Sequence, residues 1–308
     1  MILIISADGD VMSNNICIHL SRLNKDFIRL NESQLITDVN FDFGQDRFEF
    51  VINGDSSYNL KEINSVYYRN GSIFYQDFSI NIDTDVHQFY QSEYRAVTKF
   101  IYYYLNKNCS RIFGNLLHSE INKLEVLDLA KDLGFKIPET HIVSHKQLLD
   151  RILNSNSQFI TKSISEMKPI YLNNELFLNY TKAISCDDIN EKPENIIPSL
   201  IQERINSEYE IRIFFFQQNI WSIAVFDLLK NADGRNVNGK KYIPYELPDG
   251  ICAKILLLAK NLSLNCGTID ILRQNGEFYF LEVNPLGQFH DVNYWGNYKI
   301  DQHIAELL

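Results

Sequence analysis

The order of strands and helices changes along this chain, and that change constrains its fold more than any other feature. Strand-like runs at 2–6 and 65–69 alternate with helical stretches at 11–23 and 85–106. Such alternation is typical of an open α/β sheet. After residue 199 the strands follow one another with only short breaks between them, which is typical of an antiparallel sheet.

We therefore predict an α/β (α+β) protein of three domains, for which a length of 308 residues is sufficient. The first domain, residues 1–115, holds the alternating strands and helices, and its first turn lacks the G-x-G-x-x-G pattern of a dinucleotide site. The second, residues 116–200, begins with a helix that Ser119 can cap and Gly134 can end. The third, residues 201–308, holds the antiparallel sheet and a helix.

The composition argues against several classes of function. A net charge of −10 is unlike that of a broad nucleic-acid-binding surface, which needs a basic stripe. The N-terminus meets Asp8 too early for a signal peptide, and no apolar run approaches the roughly 18 residues that span a bilayer. The five cysteines lie far apart without metal-binding or redox spacing, so we expect buried free thiols in a reducing cytoplasm. We expect no nucleic-acid partner and no membrane partner.

The segment GTIDILRQNGEFYFLEVNPLGQF, residues 267–289, carries the clearest chemical signal. It has two apolar strands around an Asn-Gly turn, yet Asp270 interrupts the first strand, and Glu282 and Asn284 end the second. At about 4 Å and an effective dielectric near 20, two carboxylates repel by roughly 4 kcal/mol, which a divalent cation removes. Carboxylate and amide oxygens without His or Cys suit Mg²⁺. The alternative is a solvent-exposed strand face that happens to be polar.

The turn decides whether the two carboxylates share a face. A two-residue Asn-Gly turn pairs Asp270 with Leu281 and puts Glu282 on the opposite face, whereas a three-residue loop at 274–276 pairs Asp270 with Phe280 and keeps Glu282 on the same face. We predict the three-residue loop, because it gathers the oxygen ligands. Alternation then puts the following side chains on the apolar face: Ile269, Ile271, Tyr279, Leu281 and Val283.

GTIDIL and FYFLEVNPLGQF together resemble the metal-binding end of the ATP-grasp carboxylate ligases. In that family an Asp on one strand and Glu-x-Asn on the next bind magnesium that bridges nucleotide phosphates. The resemblance implies that Asp270, Glu282 and Asn284 bind Mg²⁺ and that the nucleotide is ATP. It also implies an ATP-grasp fold, with an N-terminal Rossmann-like domain before the grasp, a central domain and a C-terminal antiparallel-sheet domain.

LIQERINSEYEIRIF resembles the hinge between the two halves of the grasp. The resemblance implies that Glu203 and Ile205 contact adenine and that Glu210 binds the ribose hydroxyls. It also implies that Arg212 neutralises the γ-phosphate or an acyl phosphate. Without the resemblance, the two glutamates fit a solvated strand edge. A buried guanidinium in this apolar strand would still need an anionic partner.

Two lysines complete the implied nucleotide site. NKLEVLDLAKDLGFKIPET resembles the entry to the family's central domain and implies that Lys123 binds phosphate, and FITKS supplies Lys162 as the second phosphate lysine. Seen alone, each would be an ordinary surface lysine. The chain has no G-x-x-x-x-G-K-[ST], which argues against a P-loop, and SISEMKP has no glycine where the family has a glycine-rich lid.

Three further stretches resemble one subgroup, the graspetide (microviridin-type, grasp-with-spasm) peptide maturases. They are VYYRNG at 66–71, NADGRNVNGKKYIPYELP and LEVNPLGQF. This resemblance implies that Asp233 and Arg235 bind the substrate, with Arg235 holding an acidic side chain of the peptide core. In isolation, ADGR is a turn sequence.

The activity implied is ATP-dependent macrocyclisation of a precursor peptide made of a leader and an acidic core. Arg212 and Lys162 would act on a phosphorylated Asp or Glu that a Ser or Thr hydroxyl, or a Lys amine, then attacks. The leader would dock on the central and C-terminal regions, at the hairpin 211–226. The alternatives are a ligase that adds an amino acid to a peptide or protein, and a catalytically weak peptide-binding protein. A homodimer is compatible with the sequence, which does not fix the oligomeric state.

Overall fold

The computed structural model describes most of the chain. The described residues are 1–76, 84–117, 121–155, 157–165, 170–172, 175–177, 180–190, 192–227 and 239–308. None of the helices within these ranges is long and apolar enough to cross a membrane. All five cysteines are free, but only Cys266 is buried, so the prediction of buried thiols is wrong for the other four.

The N-terminal part is built on a parallel sheet, as the alternation predicts. Its elements are β1 (Ile2–Ser6), α1 (Val11–Arg22), β2 (Phe27–Leu30), β3 (Ile36–Asp42), β4 (Arg47–Ile52), β5 (Ser56–Asn59), β6 (Ser65–Arg69), α2 (Thr84–Asn108) and β7 (Arg111–Phe113). Parallel strands are arranged in the order β2-β1-β6-β7, and β3-β4-β5 form a separate antiparallel sheet. Every residue of β1 is buried, because both faces of a parallel sheet are covered.

The central part is built on a four-stranded antiparallel sheet, beside which β10 and β11 form a separate pair. Its elements are α3 (Lys123–Asp132), β8 (Thr140–His145), α4 (Lys146–Leu153), β9 (Phe159–Lys162), β10 (Ile170–Leu172), β11 (Glu175–Phe177), β12 (Lys182–Ile184) and β13 (Asn195–Glu203). Four of these strands have the order β12-β9-β13-β8. The predicted boundary between residues 200 and 201 falls within β13, and the three-domain division remains a prediction.

Side-chain and backbone geometry explain the ends of α3. Asn122 caps the helix, since its Oδ1 accepts from Leu124 N at 2.9 Å, while Ser119, the predicted cap, lies outside the described residues. Gly134 follows the helix with a φ of 78°, a conformation that favours glycine. The end of the helix is therefore where the sequence predicts it.

The C-terminal part carries a five-stranded antiparallel sheet with the order β16-β15-β14-β17-β18. Its elements are β14 (Tyr209–Phe216), β15 (Asn219–Asp227), β16 (Lys240–Pro244), α5 (Asp249–Asn261), β17 (Cys266–Gln274), β18 (Glu277–Asn284), α6 (His290–Gly296) and α7 (Ile300–Leu307). Most side chains of the β14–β15 hairpin are buried, and its turn is exposed. The turn is the exposed part of this hairpin, and docking of a leader at 211–226 remains a prediction.

The two faces of this sheet pack against different parts of the chain. Ile211 and Ile213 belong to a core with α3 and α5, whereas Phe214 and Phe216 share a core with Phe113 of the N-terminal sheet. Residues two apart on a strand share a face. Polar residues of β14 at positions 210 and 212 thus lie on the face that turns towards the N-terminal sheet.

Two asparagines join the N-terminal sheet to the start of β17. Asn115 accepts from Asn265 N at 2.9 Å and donates from Nδ2 to Cys266 O at 3.0 Å. In return, Asn265 donates from Nδ2 to Gly114 O at 2.8 Å and accepts from Gly114 N at 3.1 Å. These reciprocal bonds fix the N-terminal sheet relative to the strand that carries Asp270.

Candidate active site

The hairpin that carries the acidic residues closes with a two-residue turn. Asn275 and Gly276 have φ of 49° and 82°, and Gln274 pairs with Glu277. Two successive positive φ values are typical of the type I′ turn, whose twist matches the flanking strands. The predicted three-residue loop is therefore wrong.

A β-bulge nevertheless brings the carboxylates together. Asp270 is directly opposite Glu282, whereas Ile271 is opposite Phe280, so β18 contains one extra residue, Leu281, between the two pairs. A bulge adds a residue to one strand and resets which side chains share a face. Asp270 and Glu282 thus lie side by side, by a route that the choice between two turns did not include.

The same bulge changes the apolar face of the hairpin. Phe280 is fully buried and packs with Ile271 and Val283. Tyr279 and Leu281, which we predicted on this face, are half-buried and outside that core. The prediction is wrong at these three positions because it assumed uninterrupted alternation.

Asp270 is surrounded by charge. Burial is the largest cause that raises its pKa, and the negative charges of Glu210 and Glu282 raise it further. The positive charges of Arg212 and Lys162 lower it in part. A bound cation would favour the ionised form of this carboxyl, because metal ligands must give up their protons.

Arg212 connects the carboxylates of the site. It is directly opposite Asp270 on the neighbouring strand, its Nε donates to Glu210 Oε1 at 2.7 Å, and its Nη1 donates to Asp291 Oδ2 at 2.9 Å. Burial alone would lower the pKa of Arg212, but Glu210, Asp270 and Asp291 raise it above the ordinary value. The guanidinium stays charged and has the anionic partners that its burial requires.

Both predicted phosphate lysines come near this hairpin. Lys162 ends β9, and its Nζ lies 3.3 Å from Glu282 Oε2. Lys123 begins α3, and its Nζ donates to Ser165 O at 3.5 Å. Lys123 therefore contacts the segment that follows Lys162 in the chain.

The hinge residues lie between the central and C-terminal sheets. Glu203 ends β13, where its N donates to Glu139 O at 2.8 Å and its Oε2 accepts from Glu139 N at 3.4 Å. Ile205 follows in the connection to β14 and is half-buried. Glu210 is on β14 beside Arg212, so the structure places it within the charged network and not at a solvated edge.

Sequence reasoning missed two charged residues of the site. Asp291, in the first turn of α6, binds Arg212, and Lys240, at the start of β16, is close enough for Arg212 to affect it. Burial lowers the pKa of Lys240, with Arg212 adding to the effect. Asp291 follows the acidic hairpin closely, whereas no local pattern marks Lys240. The predicted substrate residues Asp233 and Arg235 lie outside the described residues.

The predicted magnesium ligands form an all-oxygen donor set. Asn284 is opposite Thr268 and two residues beyond Glu282, and its Oδ1 accepts from Leu286 N at 2.9 Å. Nowhere in the described ranges do three or more His, Cys, Asp or Glu residues group around a metal-sized site. The candidate set instead has two carboxylates and one amide, and their crowded negative charge suits a hard divalent cation.

Comparison by sequence gives a short match. No protein-family model matches the chain. Over 41 residues it is 54% identical to pyruvate carboxylase of Bacillus subtilis (strain 168), which is 13% of this chain and 4% of the length of that protein. A match of this extent carries no conclusion about the activity of the whole chain.

Comparison by structure covers the whole chain. The macrocyclase MdnC from Microcystis aeruginosa MRC, bound with precursor peptide MdnA, superposes with a TM-score of 0.80 at 22% identity over 100% of this chain and 98% of its own. A Chryseobacterium gregarium RiPP-associated ATP-grasp ligase, in complex with ADP and a leader and core peptide, superposes at 0.82 with 21% identity over 100% and 96%. D-alanine–D-alanine ligase from Bacillus anthracis, complexed with ATP, gives 0.54 at 13% identity over 99% and 94%.

These likenesses define the class of fold. The chain has the ATP-grasp fold, as its sequence predicts. Its TM-scores of 0.80 and 0.82 with the two peptide-bound ligases, against 0.54 with the D-alanine ligase, place its architecture with the peptide-bound ones.

Proposed function

We propose that this protein is an ATP-dependent macrocyclase of a ribosomally made precursor peptide. The supporting observation is that Lys162, Arg212, Asp270 and Glu282 converge on one sheet face, in a fold that matches peptide-bound ATP-grasp ligases over its whole length. We also propose that the enzyme works in the cytoplasm, where its five thiols stay reduced.

The reaction has two steps. The γ-phosphoryl group of ATP is transferred to an Asp or Glu side chain of the peptide, which forms an acyl phosphate and releases ADP. A Ser or Thr hydroxyl, or a Lys amine, of the same peptide attacks the acyl carbon, and phosphate leaves. One ω-ester or ω-amide bond forms, and the peptide loses the elements of one water.

The protein's contribution is to hold charge in place. Lys162 and Arg212 neutralise the negative charge of the phosphates and the acyl phosphate in a half-buried site, where such interactions are stronger than in water. Mg²⁺, when held by Asp270, Glu282 and Asn284, would neutralise further phosphate charge. Arg212 is kept in position by Glu210 and Asp291, so little reorganisation is needed as charge develops.

The nucleotide would lie between the central and C-terminal sheets. We propose that Glu203 and Ile205 line the adenine slot, that Glu210 binds ribose, and that Lys123 and Lys162 hold the phosphates. This assignment is supported by the positions of Glu203 at the end of β13 and of Lys162 beside Glu282.

The peptide partner would consist of a leader and an acidic core. We propose that Asp233 and Arg235 contact the core, because the segment that contains them leads directly into β16 and Lys240. Light scattering of the purified protein measures its mass in solution and so decides between a monomer and a homodimer.

The test is incubation with acidic Ser/Thr-rich peptides, ATP and Mg²⁺, read by mass spectrometry. Loss of about 18 Da per link is the expected result, since each cycle removes one water. A product heavier by one amino acid would instead assign an amino-acid-adding ligase. Peptide binding without any mass change would assign a peptide-binding protein.

A further inference from the structure

The segment that follows the acidic hairpin is held by two buried side chains from the N-terminal sheet. Asn115 Nδ2 donates to Pro285 O at 2.7 Å, and Arg69 Nη1 donates to Leu286 O at 2.9 Å. Both side chains are less than a tenth exposed. Both lie at the carboxyl end of the parallel sheet, since Arg69 is the last residue of β6 and Asn115 follows β7 by two residues. Two consecutive carbonyls are thus fixed from outside the C-terminal sheet.

The first of these bonds acts on the same peptide group that holds Asn284. The Pro285–Leu286 peptide accepts from Asn115 at its oxygen and donates from Leu286 N to Asn284 Oδ1 at 2.9 Å. A hydrogen bond at one end of a peptide group polarises it and strengthens the bond at the other end. The orientation of this peptide plane therefore sets the orientation of the Asn284 amide.

Arg69 is itself firmly held. Its Nη2 lies 3.3 Å from Asp10 Oδ1, and the other oxygen of that carboxylate accepts from Ser13 N at 2.8 Å, which caps α1. A buried guanidinium paired with a carboxylate and a carbonyl has little freedom to move. Asp10, Arg69 and Leu286 thus form a rigid connection from α1 to the loop after β18.

We propose that Arg69 and Asn115 are positioning residues for Asn284. They act through the Pro285 and Leu286 backbone and so set the affinity of the candidate site for its divalent cation. This inference rests on the proposed function, since it requires Asn284 to be a metal ligand. It also gives a role to Arg69 of the VYYRNG segment, which the proposed chemistry itself does not use.

The test measures Mn²⁺ binding in the presence of ADP, by electron paramagnetic resonance of free Mn²⁺, and does not depend on turnover. Arg69→Lys and Asn115→Ala should each weaken Mn²⁺ binding about tenfold, as loss of a group that orients a ligand typically does. Asn284→Ala should weaken it at least as much. Arg69→Lys combined with Asn284→Ala should bind no more weakly than Asn284→Ala alone, because both act on one interaction.

Two control variants separate positioning from loss of stability. Arg29 is half-buried on β2 and donates to Ser6 Oγ at 2.9 Å, Asn14 Oδ1 at 2.7 Å and Ala7 O at 2.6 Å, all within the N-terminal part. Asn265 joins the same two sheets as Asn115 but bonds to the 112–114 segment. Arg29→Lys should lower the melting temperature and leave Mn²⁺ affinity unchanged, and Asn265→Ala should weaken Mn²⁺ binding less than Asn115→Ala does.

The outcomes distinguish this inference from the proposed function. If Asn284→Ala binds Mn²⁺ as the wild type does, the metal assignment is wrong and the proposed function loses its magnesium site. If Asn284→Ala binds weakly while Arg69→Lys and Asn115→Ala match their controls, only the positioning role is wrong. Should Asn115→Ala fail to fold, the comparison of Arg69→Lys with Arg29→Lys still decides.

Discussion

Arg212 lies between three carboxylates, and its charge determines how they can be used. Glu210 and Asp291 accept its hydrogen bonds, and Asp270 is its neighbour across the strands. Lys162 supplies the second positive charge, next to Glu282. At the scale of single residues the site therefore sets four carboxylates against Arg212, Lys162 and the nearby Lys240, to which a metal ion and phosphates would be added.

The first prediction concerns the predicted metal carboxylates. Asp270→Asn and Glu282→Gln should each lower turnover at least about a thousandfold, because each removes a charged oxygen ligand from the cation. Asp270→Asn should not lower the free energy of unfolding, since it relieves repulsion between neighbouring carboxylates. Glu282→Gln should change it by at most about 1 kcal/mol, because it also loses the partly exposed ion pair with Lys162. Turnover and urea unfolding are measured together, with exposed Asp128→Asn as the control. Wild-type turnover in both variants would remove these residues from the site.

The second prediction concerns pH. Burial and Glu210 raise the pKa of Asp270, so in the absence of metal the folded state binds more protons than the unfolded state between about 3.9 and the raised value. The contribution of Asp270 to the free energy of unfolding should therefore fall as pH rises through that window. Urea unfolding of the wild type and Asp270→Asn at several pH values measures it. A difference between the two that does not vary with pH would contradict the raised pKa.

The third prediction separates two roles of Glu210. If it binds ribose, Glu210→Ala should raise the KM for ATP more than it lowers kcat, because ribose contacts are nearly the same in the ground and transition states. If its main role is to hold Arg212 Nε at 2.7 Å, the loss should appear in kcat. Steady-state kinetics at varied ATP decides, with Glu210→Gln as the neutral variant of similar shape.

At the scale of elements, the β17–β18 hairpin shows how local geometry produces the site. Its two-residue turn fixes the register near the tip, and the bulge at Leu281 resets it before the strands reach Asp270. Both features were needed, because the turn alone would have put Glu282 on the other face of the sheet.

The fourth prediction tests the turn. Gly276 has a φ of 82° and an added Cβ would meet nothing within 4 Å, so the cost of Gly276→Ala is conformational, about 1 kcal/mol of unfolding free energy. Gly250 lies in the first turn of α5, also without close neighbours, and Gly250→Ala should leave stability unchanged or raise it. Urea unfolding compares them. Equal effects would contradict the type I′ geometry.

At the scale of the whole molecule, the N-terminal and C-terminal sheets share a core. The ring centroids of Phe113 in the N-terminal sheet and Phe216 in the C-terminal sheet are 5.1 Å apart. The hydrogen bond between Asn115 and Asn265 also joins these two sheets. Lys162 of the central sheet contacts Glu282 of the β17–β18 hairpin. The candidate site thus depends on three separate sheets being held together.

The fifth prediction concerns the product of the assembled enzyme. If the nucleophile is a hydroxyl, the closed peptide contains an ester, and mild base should restore the lost water while neutral buffer leaves the product unchanged. Mass spectrometry of a product divided between the two conditions measures this. Loss of water that survives base would replace the ester with an amide.

The sequence by itself predicted most of the elements and most of the charged residues that meet at the candidate site. Alternation and periodicity are local properties, so β1, β6, α1 and α2 were predictable, and so was the pairing of acidic residues with apolar strands around Asp270. The ATP-grasp fold followed from the order of several such local motifs.

Only the tertiary structure decided how these residues meet. The position of the bulge at Leu281 leaves no clear local signal, because residues 278–281 are Phe-Tyr-Phe-Leu and their composition does not show where the alternation of faces shifts. Lys240 reaches the site through strand order, and Arg69 reaches Leu286 across 217 residues of chain. Contacts over such separations depend on how whole sheets pack, and no short segment encodes that.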